Sequence, residues 1–296
     1  MAISVFPIFE DFVAEIGDID LSQVQTDDVI EAVREAFGRY AVLVFPDQVL
    51  TEAQHLRFAE WFGPLETTIG SFRDQTQLRT SDKIADVSNL DTQDEIWGAD
   101  SRQRMFQLAN RLWHTDSSFR HVPSRASALY ARAVAPVGGH TQFADMRAAF
   151  DALPSERQDL LRPMVARHAI AHSRAKLGFD DFSETERLAL PEVRQMLVRR
   201  LPETGRENLY LASHIGGIEG LDDAAAGALV NALTEHATQR QFVYSHRWRL
   251  HDLVIWDNRC TMHRGTPFDD LRWRRDVQRA TIEDVGNTAE LAASAG

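Results

Sequence analysis

Three residues of the sequence could bind one metal ion: His114, Asp116 and His263. One residue separates His114 from Asp116, and residues i and i+2 of an extended backbone project from the same face. The third ligand must come from elsewhere, and His263 closely follows the apolar segment Leu253–Asp257. Two histidines and one carboxylate on one face leave three coordination positions open, an arrangement typical of non-haem Fe(II) oxygenases. The sequence therefore predicts a catalytic metal centre formed by these three side chains.

The spacing alone is weak evidence for this centre. With 11 histidines and 44 acidic residues among 296, one His-x-acid pair is no more than chance would supply. A solvated or hydrogen-bonded pair would give the same pattern, and two histidines with one aspartate could also bind zinc in a hydrolase. Ser117 follows Asp116, but no G-x-S-x-G turn surrounds it, which argues against a serine hydrolase.

Strands and helices must position these residues. Short apolar runs rich in β-branched or aromatic residues predict strands at 41–45, 128–134, 208–212, 241–250 and 253–256. Helical periodicity predicts helices at 29–37, 53–62, 146–153 and 224–237, the second behind a capping box from Thr51 to Gln54. Because strands and helices do not alternate strictly, the pattern favours a β-sandwich or jelly roll with flanking helices over a doubly wound sheet.

Seven segments, taken in order, form a more specific pattern: YAVLVF (40–45), FGPLE (62–66), WHTDSSF (113–119), GGHTQF (138–143), HATQRQF (236–242), WDNR (256–259) with His263, and RRDVQRAT (274–281). In these segments the sequence resembles the taurine and 2,4-dichlorophenoxyacetate dioxygenases, a family of Fe(II)- and 2-oxoglutarate-dependent oxygenases. Segment 145–154, DMRAAFDALP, resembles the aryloxyacetate-cleaving branch in particular. The resemblance implies a mainly β fold with flanking helices around a double-stranded β-helix, a cupin-like jelly roll.

The resemblance also implies a site for the cosubstrate. 2-Oxoglutarate needs a cation for its C5 carboxylate, and an arginine can pair with a carboxylate through two charge-assisted hydrogen bonds. In the family, the residues matching Arg275 and Thr141 bind this carboxylate, and Trp256 would pack beside the cosubstrate. From the residues alone, Arg275 could equally be a solvated member of the basic cluster 272–275, and Trp256 an ordinary core residue.

Four further residues are candidates for contacting the primary substrate. Arg279 lies four positions after Arg275, on the same face of a strand, and related enzymes use the matching arginine to bind an anionic group. Asn110 and His214 could add polar contacts near the cavity. Ser71 stands where herbicide-cleaving relatives carry a lysine, shortly after the FGPLE segment. This departure could change which substrate is preferred.

The reaction implied by the resemblance consumes 2-oxoglutarate and O₂ at Fe(II) and hydroxylates a small anionic substrate, with succinate and CO₂ as co-products. For an aryloxyalkanoate such as 2,4-dichlorophenoxyacetate, hydroxylation beside the ether oxygen gives a hemiacetal that collapses to a phenol and glyoxylate. One alternative is the same chemistry on another small carboxylate or sulfonate, taurine-like or derived from an amino acid. Another is a noncatalytic cupin-like binding protein, which would lack a metal ligand or the cosubstrate arginine.

Composition narrows the class of protein. The formal net charge of −12 opposes binding to nucleic acid or to anionic membranes. No apolar run approaches the roughly 20 residues that span a bilayer. A single cysteine, Cys260, and the lack of a signal-peptide pattern predict a cytoplasmic protein. Without repeats or linkers we expect one domain, 1–296, with a lid or insertion around 179–202, and the resemblance adds the expectation of a homo-oligomer, a dimer or tetramer.

Overall fold

The computed structural model describes residues 3–68, 79–178 and 188–295. Strands of these residues are β1 Ser4–Phe9, β2 Val13–Gly17, β3 Val42–Phe45, β4 Ile84–Asp86, β5 Ser124–Ala133, β6 Thr141–Asp145, β7 Val165–His168, β8 Val193–Met196, β9 Val198–Arg200, β10 Glu207–Leu209, β11 Ile215–Ile218, β12 Val243–His246, β13 Leu253–Asp257, β14 Thr261–Gly265 and β15 Asp276–Glu283. Helices are α1 Asp27–Tyr40, α2 Glu52–Ala59, α3 Arg102–Gln107, α4 Met146–Asp151, α5 Ser155–Leu161, α6 Ile170–Ala175, α7 Asp223–Ala237 and α8 Thr288–Ala295.

A large mixed sheet joins described strands in the order β1-β2-β3-β13-β5-β15-β4. Its neighbouring strands run antiparallel except β2 and β3, which are parallel. All four residues of β3 are buried, so both faces of this strand need apolar side chains, which accounts for its continuously apolar sequence. Leu43 and Phe45 pack in one cluster with Phe37 of α1 and Phe58 of α2. Helices therefore cover one face of the sheet.

The other face of the large sheet meets a smaller sheet with the order β12-β6-β14. Phe143 of β6 shares a buried cluster with Val44, Val254 and Trp256 of the large sheet. The opposite face of the smaller sheet packs against α4 and α7. Two facing sheets with helices outside them match the predicted jelly roll with flanking helices.

Several predicted elements differ from the observed ones at their ends. The strand predicted over 241–250 is confined to β12, after a 3₁₀ turn at Arg240–Phe242. The strand predicted over 208–212 is β10, Glu207–Leu209. The helix predicted over 146–153 ends at Asp151, because Pro154 disfavours helical geometry in the residue before it. The capping box at Thr51 is confirmed, with Gln54 N–H donating to the Thr51 hydroxyl.

The segment 179–202, predicted to be a lid or insertion, is described only in part. Residues 179–187 lie outside the described residues. Farther along, β8 pairs with β7 and β9 pairs with β10, so this part of the segment belongs to small antiparallel sheets. The lid and the single domain stay predictions. None of the helices in the described ranges combines the length and apolar character needed to cross a bilayer.

Candidate active site

His114, Asp116 and His263 come together where a loop meets strand β14. The backbone N–H of His114 donates to the carbonyl oxygen of His263 at 3.0 Å, and the N–H of His263 donates back at 2.8 Å. This exchange fixes the loop to the strand. Nε2 of His114 lies 3.7 Å from Oδ1 of Asp116, and Nε2 of His263 lies 3.6 Å from Oδ2. Ligand atoms of all three side chains lie within 4.8 Å of one another, so one ion could contact them together.

The protonation states of these side chains suit metal binding. Burial lowers the pKa of His114 and lowers that of His263 well below its usual value, so both rings are neutral at pH 7. Nδ1 of His114 lies 2.7 Å from the carbonyl oxygen of Leu112 and donates to it, which leaves the Nε2 lone pair for a metal. Burial alone would raise the pKa of Asp116, but Arg279, His263, His114 and Ser127 together lower it to about 2. The carboxylate is therefore ionised.

A buried hydrogen-bond network holds the Asp116 carboxylate in place. Arg279 donates from Nη1 to Oδ1, and Ser127 donates from Oγ to Oδ2 at 2.8 Å. Asn258 in turn donates to Ser127 Oγ at 2.8 Å and accepts from Trp256 Nε1 at 2.9 Å. Neither Ser127 nor Asn258 was predicted from the sequence. Asn258 stands inside the WDNR segment of the resemblance, which is the one signal that could have drawn attention to it.

One cavity, named here the inner cavity, adjoins these ligands and is lined by Thr141, Trp256, His263 and Arg275 among others. Arg275 is partly buried and donates to the carbonyl oxygen of Val87 at 3.2 Å. No acidic side chain of the described residues lies within 4 Å of its guanidinium. Burial lowers the pKa of Arg275 to about 10, so the group stays positive at neutral pH. The inner cavity thus contains a cation that needs an anion.

Thr141 is placed to help bind that anion. Its Oγ1 accepts a hydrogen bond from Trp248 Nε1 at 3.0 Å, which leaves the hydroxyl proton free to donate. The turn before Thr141 is left-handed, and a Cβ at Gly139, whose φ is +67°, would lie 3.6 Å from Arg275 Cδ and Nε. That distance is an ordinary van der Waals contact, so it is the positive φ that favours glycine at this position. Trp248, which orients the hydroxyl, was not predicted.

Residues 4–281 match the model of a protein family described as "Taurine catabolism dioxygenase TauD, TfdA family". The chain belongs to this family. It is therefore a dioxygenase, and the resemblance seen in seven segments is confirmed. The alternative of a noncatalytic cupin-like binding protein required a missing metal ligand or a missing cosubstrate arginine. The candidates for these positions, His114, Asp116, His263 and Arg275, are all present, so that alternative loses its basis.

Individual relatives are similar to this chain over nearly its whole length. An alpha-ketoglutarate-dependent 2,4-dichlorophenoxyacetate dioxygenase of Cupriavidus pinatubonensis is 40% identical, over 96% of this chain and 99% of its own. A (S)-phenoxypropionate/alpha-ketoglutarate-dioxygenase of Sphingobium herbicidovorans is 33% identical, over 90% and 91%. The crystal structure of AAD-2 in complex with Mn(II) and N-oxalylglycine superposes with a TM-score of 0.89 at 41% identity, over 97% and 99%. The jelly-roll fold and dependence on 2-oxoglutarate are confirmed.

A second cavity, named here the outer cavity, also adjoins His114 and Asp116. It shares Asn110, His114 and Arg279 with the inner cavity, and Asp116 and His214 also line it. The structure therefore brings every predicted site residue to one of the two cavities except Ser71, which lies outside the described residues. Their roles stay predictions. The residues expected to contact the cosubstrate line the inner cavity, whereas Asn110 and Arg279 line both cavities and His214 lines the outer one.

Replacing Ser127 with alanine should weaken metal binding by roughly 10- to 100-fold, the usual effect of losing a partner that orients a ligand. The substitution removes the hydrogen bond to Oδ2 of Asp116 and little volume. Anaerobic titration with Mn(II) or Fe(II) measures the change. Ser124→Ala is a matched control, because Ser124 Oγ donates to the backbone oxygen of Asp116 and not to its carboxylate. Equal metal affinity in Ser127→Ala and the unsubstituted protein would contradict this role.

Proposed function

We propose that this dioxygenase uses Fe(II), 2-oxoglutarate and O₂ to hydroxylate an aryloxyalkanoate such as 2,4-dichlorophenoxyacetate, releasing a phenol and glyoxylate together with succinate and CO₂. The observation that carries the proposal is the pairing of two features in one cavity. His114 and His263 of the His-Asp-His group line the inner cavity, and Arg275, with no acidic partner among the described residues, lines it with them. A 2-oxo acid with a distal carboxylate fits both features.

Each residue then has a physical task. His114, Asp116 and His263 would hold the iron on one side and leave positions open for the other reactants. Bound iron and cosubstrate supply the oxidative decarboxylation that activates O₂ for hydroxylation. Arg275 and the Thr141 hydroxyl would bind the C5 carboxylate through charge-assisted hydrogen bonds. Enclosing these groups limits access of water to the reacting atoms.

The outer cavity supports an aryl substrate. Phe106, Phe119 and Ile170 line it and offer an apolar wall for a ring, while Arg279 offers a cation for a carboxylate. The relatives at 33–40% identity named above act on aryloxy acids. Fixing the carboxylate would also hold the adjacent methylene in a defined position. Hydroxylation at that carbon gives a hemiacetal, which breaks into the phenol and glyoxylate.

The decisive experiment measures products with a panel of acids under Fe(II) and 2-oxoglutarate. With phenoxyacetate or 2,4-dichlorophenoxyacetate, phenol, glyoxylate and succinate should form in equal amounts, and ¹⁸O₂ should place one labelled atom in succinate. Taurine, an alkyl sulfate and an aliphatic carboxylate complete the panel. Succinate formation stimulated by one of those three, with no phenol from either aryloxyacetate, would replace the proposed substrate class with the broader one.

Replacing Arg279 with alanine should uncouple the two half-reactions, so that succinate exceeds phenol. A substrate whose carboxylate is not held leaves its C–H bond misplaced, and cosubstrate is then consumed without hydroxylation. Both products are measured in the same reaction. Because Arg279 also pairs with Asp116, Arg279→Lys serves as the matched variant that keeps a positive charge near the metal ligand. Matched phenol and succinate yields in Arg279→Ala would exclude the anchoring role.

The cellular location and the oligomeric state of the enzyme are also part of the proposal. A net charge of −12 and one buried cysteine support a cytoplasmic enzyme that acts on small molecules. We propose a homo-oligomer as well, on the basis of the family resemblance. Light scattering of the purified protein measures its mass directly, and a monomer would reject this part.

A further inference from the structure

Four arginines line the outer cavity, Arg79, Arg120, Arg174 and Arg279, and Arg174 of α6 has no role in the function proposed so far. Its side chain is buried, with 7% of the residue exposed. Nη1 donates to Ser173 Oγ at 3.0 Å, and the guanidinium carbon lies 4.2 Å from the centre of the Phe106 ring. Nε is buried and has no hydrogen-bond partner among the described residues. An arginine buried with one donor unsatisfied is unfavourable.

The charges around Arg174 point to an anion. No acidic side chain in the described ranges lies within 4 Å of its guanidinium. Burial, followed by the positive charge of Arg279, lowers the pKa of Arg174 to about 9, so it remains protonated at neutral pH. The negative charge of Asp116 raises the pKa of Arg174, but Asp116 already pairs directly with Arg279. Arg79 and Arg120 also lie within 4 Å of acidic side chains, so among the described residues Arg174 is the arginine of this cavity that lacks an acidic partner.

The neighbouring His214 is not suited to bind an anion. The hydroxyl proton of Ser173 is donated to the carbonyl oxygen of Ile170 at 2.8 Å. Ser173 Oγ therefore accepts both from Arg174 and from Nδ1 of His214, which lies 3.0 Å away. Burial keeps His214 neutral by lowering its pKa well below the usual value, so with the proton on Nδ1 the Nε2 atom is an acceptor. An acceptor repels a carboxylate, whereas a guanidinium donates to it.

We propose that Arg174 binds the carboxylate of the primary substrate, as a second cation beside Arg279, and that His214 does not bind it. This inference rests on the proposed function and identifies the residue that selects anionic substrates. Arg279 pairs directly with Asp116, whereas no acidic side chain of the described residues lies within 4 Å of the Arg174 guanidinium. Phe106 stacks on the guanidinium and holds its plane in the cavity.

The test compares a charged substrate with a neutral analogue of the same size. In Arg174→Gln, the KM for phenoxyacetate should rise at least tenfold, while the inhibition constant of phenoxyacetamide should change less than threefold. The KM for 2-oxoglutarate should stay the same. Arg174→Lys keeps the charge and should recover part of the loss. Equal changes for phenoxyacetate and phenoxyacetamide would show a structural role and overturn the proposal.

Arg120→Gln is the matched control, because Arg120 lines the same cavity but lies 3.6 Å from the carboxylate of Glu66. Its effect on the KM for phenoxyacetate should be below threefold, and an effect as large as that of Arg174→Gln would overturn the assignment. The inference and the proposed function can fail separately. An unchanged phenoxyacetate KM in Arg174→Gln rejects the inference alone. The unsubstituted enzyme could instead accept only another acid. If Arg174→Gln then raises the KM for that acid tenfold, the inference stands and the proposed substrate is rejected.

Discussion

Replacing Asp116 with alanine should abolish turnover and reduce Fe(II) affinity by more than the roughly 100-fold that loss of an orienting partner can produce. The carboxylate is one of three side chains that could contact one ion. It also neutralises Arg279 and accepts from Ser127, so its removal leaves a guanidinium and a hydroxyl without their partner. Anaerobic Fe(II) titration and succinate release measure the two effects separately.

The two histidines provide an internal comparison. His114→Ala and His263→Ala should also abolish turnover, but they leave the Asp116–Arg279 pair intact, so Asp116→Ala should lower the thermal unfolding temperature most. His236→Ala is the control, since His236 binds the carbonyl oxygen of Ala149 and lies outside both cavities. Wild-type Fe(II) affinity and activity in all three ligand variants would reject the metal centre.

The closeness of His114 and Asp116 could be predicted, because one residue separates them, and their role as metal ligands stays a prediction. In the structure His114 forms a bridge to His263 and Asp116 lies in the turn that follows. His263 was harder, because its position depends on the backbone exchange with His114, which joins residues far apart in the chain. The apolar strand before it indicated a buried neighbour, and the family resemblance supplied the rest. Arg275 and Thr141 came from that resemblance, since their spacing alone allowed a solvated arginine.

The rest of the site depends on contacts that leave no spacing signal. Ser127 comes from the middle of β5, and nothing in an alternating strand marks one serine as the partner of a carboxylate. Trp248 follows β12 and reaches Thr141 through the fold. Arg174 reaches the outer cavity from a six-residue helix in a region without a predicted element. Sequence periodicity identifies the face of an element, but it does not identify the group opposite.

The fold shows the same division between local and long-range causes. The capping box predicted the start of α2, and continuous apolar sequence predicted the buried strand β3, because both depend on nearby residues. Strand ends were less accurate: β12 ends at His246, well before the predicted end at 250. Its length is set by pairing with β6, whose four partner residues run from Thr141 to Ala144. Pairing partners are a property of the sheet and cannot be read from one strand.

Replacing Arg275 with alanine should raise the KM for 2-oxoglutarate at least tenfold and change the KM for the primary substrate much less. The substitution removes a charge-assisted pair worth roughly 1.5–3 kcal/mol, and about 1.4 kcal/mol corresponds to a factor of ten. Calorimetric titration of the Mn(II)-loaded protein with 2-oxoglutarate, without O₂, measures the same loss as binding. Arg272→Ala is the matched control, because Arg272 is exposed and stacks on Trp273 at 4.5 Å.

A comparison with a second 2-oxo acid tests whether Arg275 binds the C5 carboxylate. 2-Oxopentanoate has the same chain length as 2-oxoglutarate and the same metal-binding end, but it lacks the C5 carboxylate. The unsubstituted enzyme should prefer 2-oxoglutarate strongly, since the guanidinium of Arg275 has no acidic partner among the described residues and lies in the cavity beside His263. Arg275→Ala should lose most of that preference, because the substitution weakens the binding of 2-oxoglutarate and not that of 2-oxopentanoate. If Arg275→Ala keeps the preference and Arg272→Ala loses it, the C5 carboxylate is bound by Arg272 instead. Equal weakening of both 2-oxo acids would mean that Arg275 supports the cavity wall and not the carboxylate.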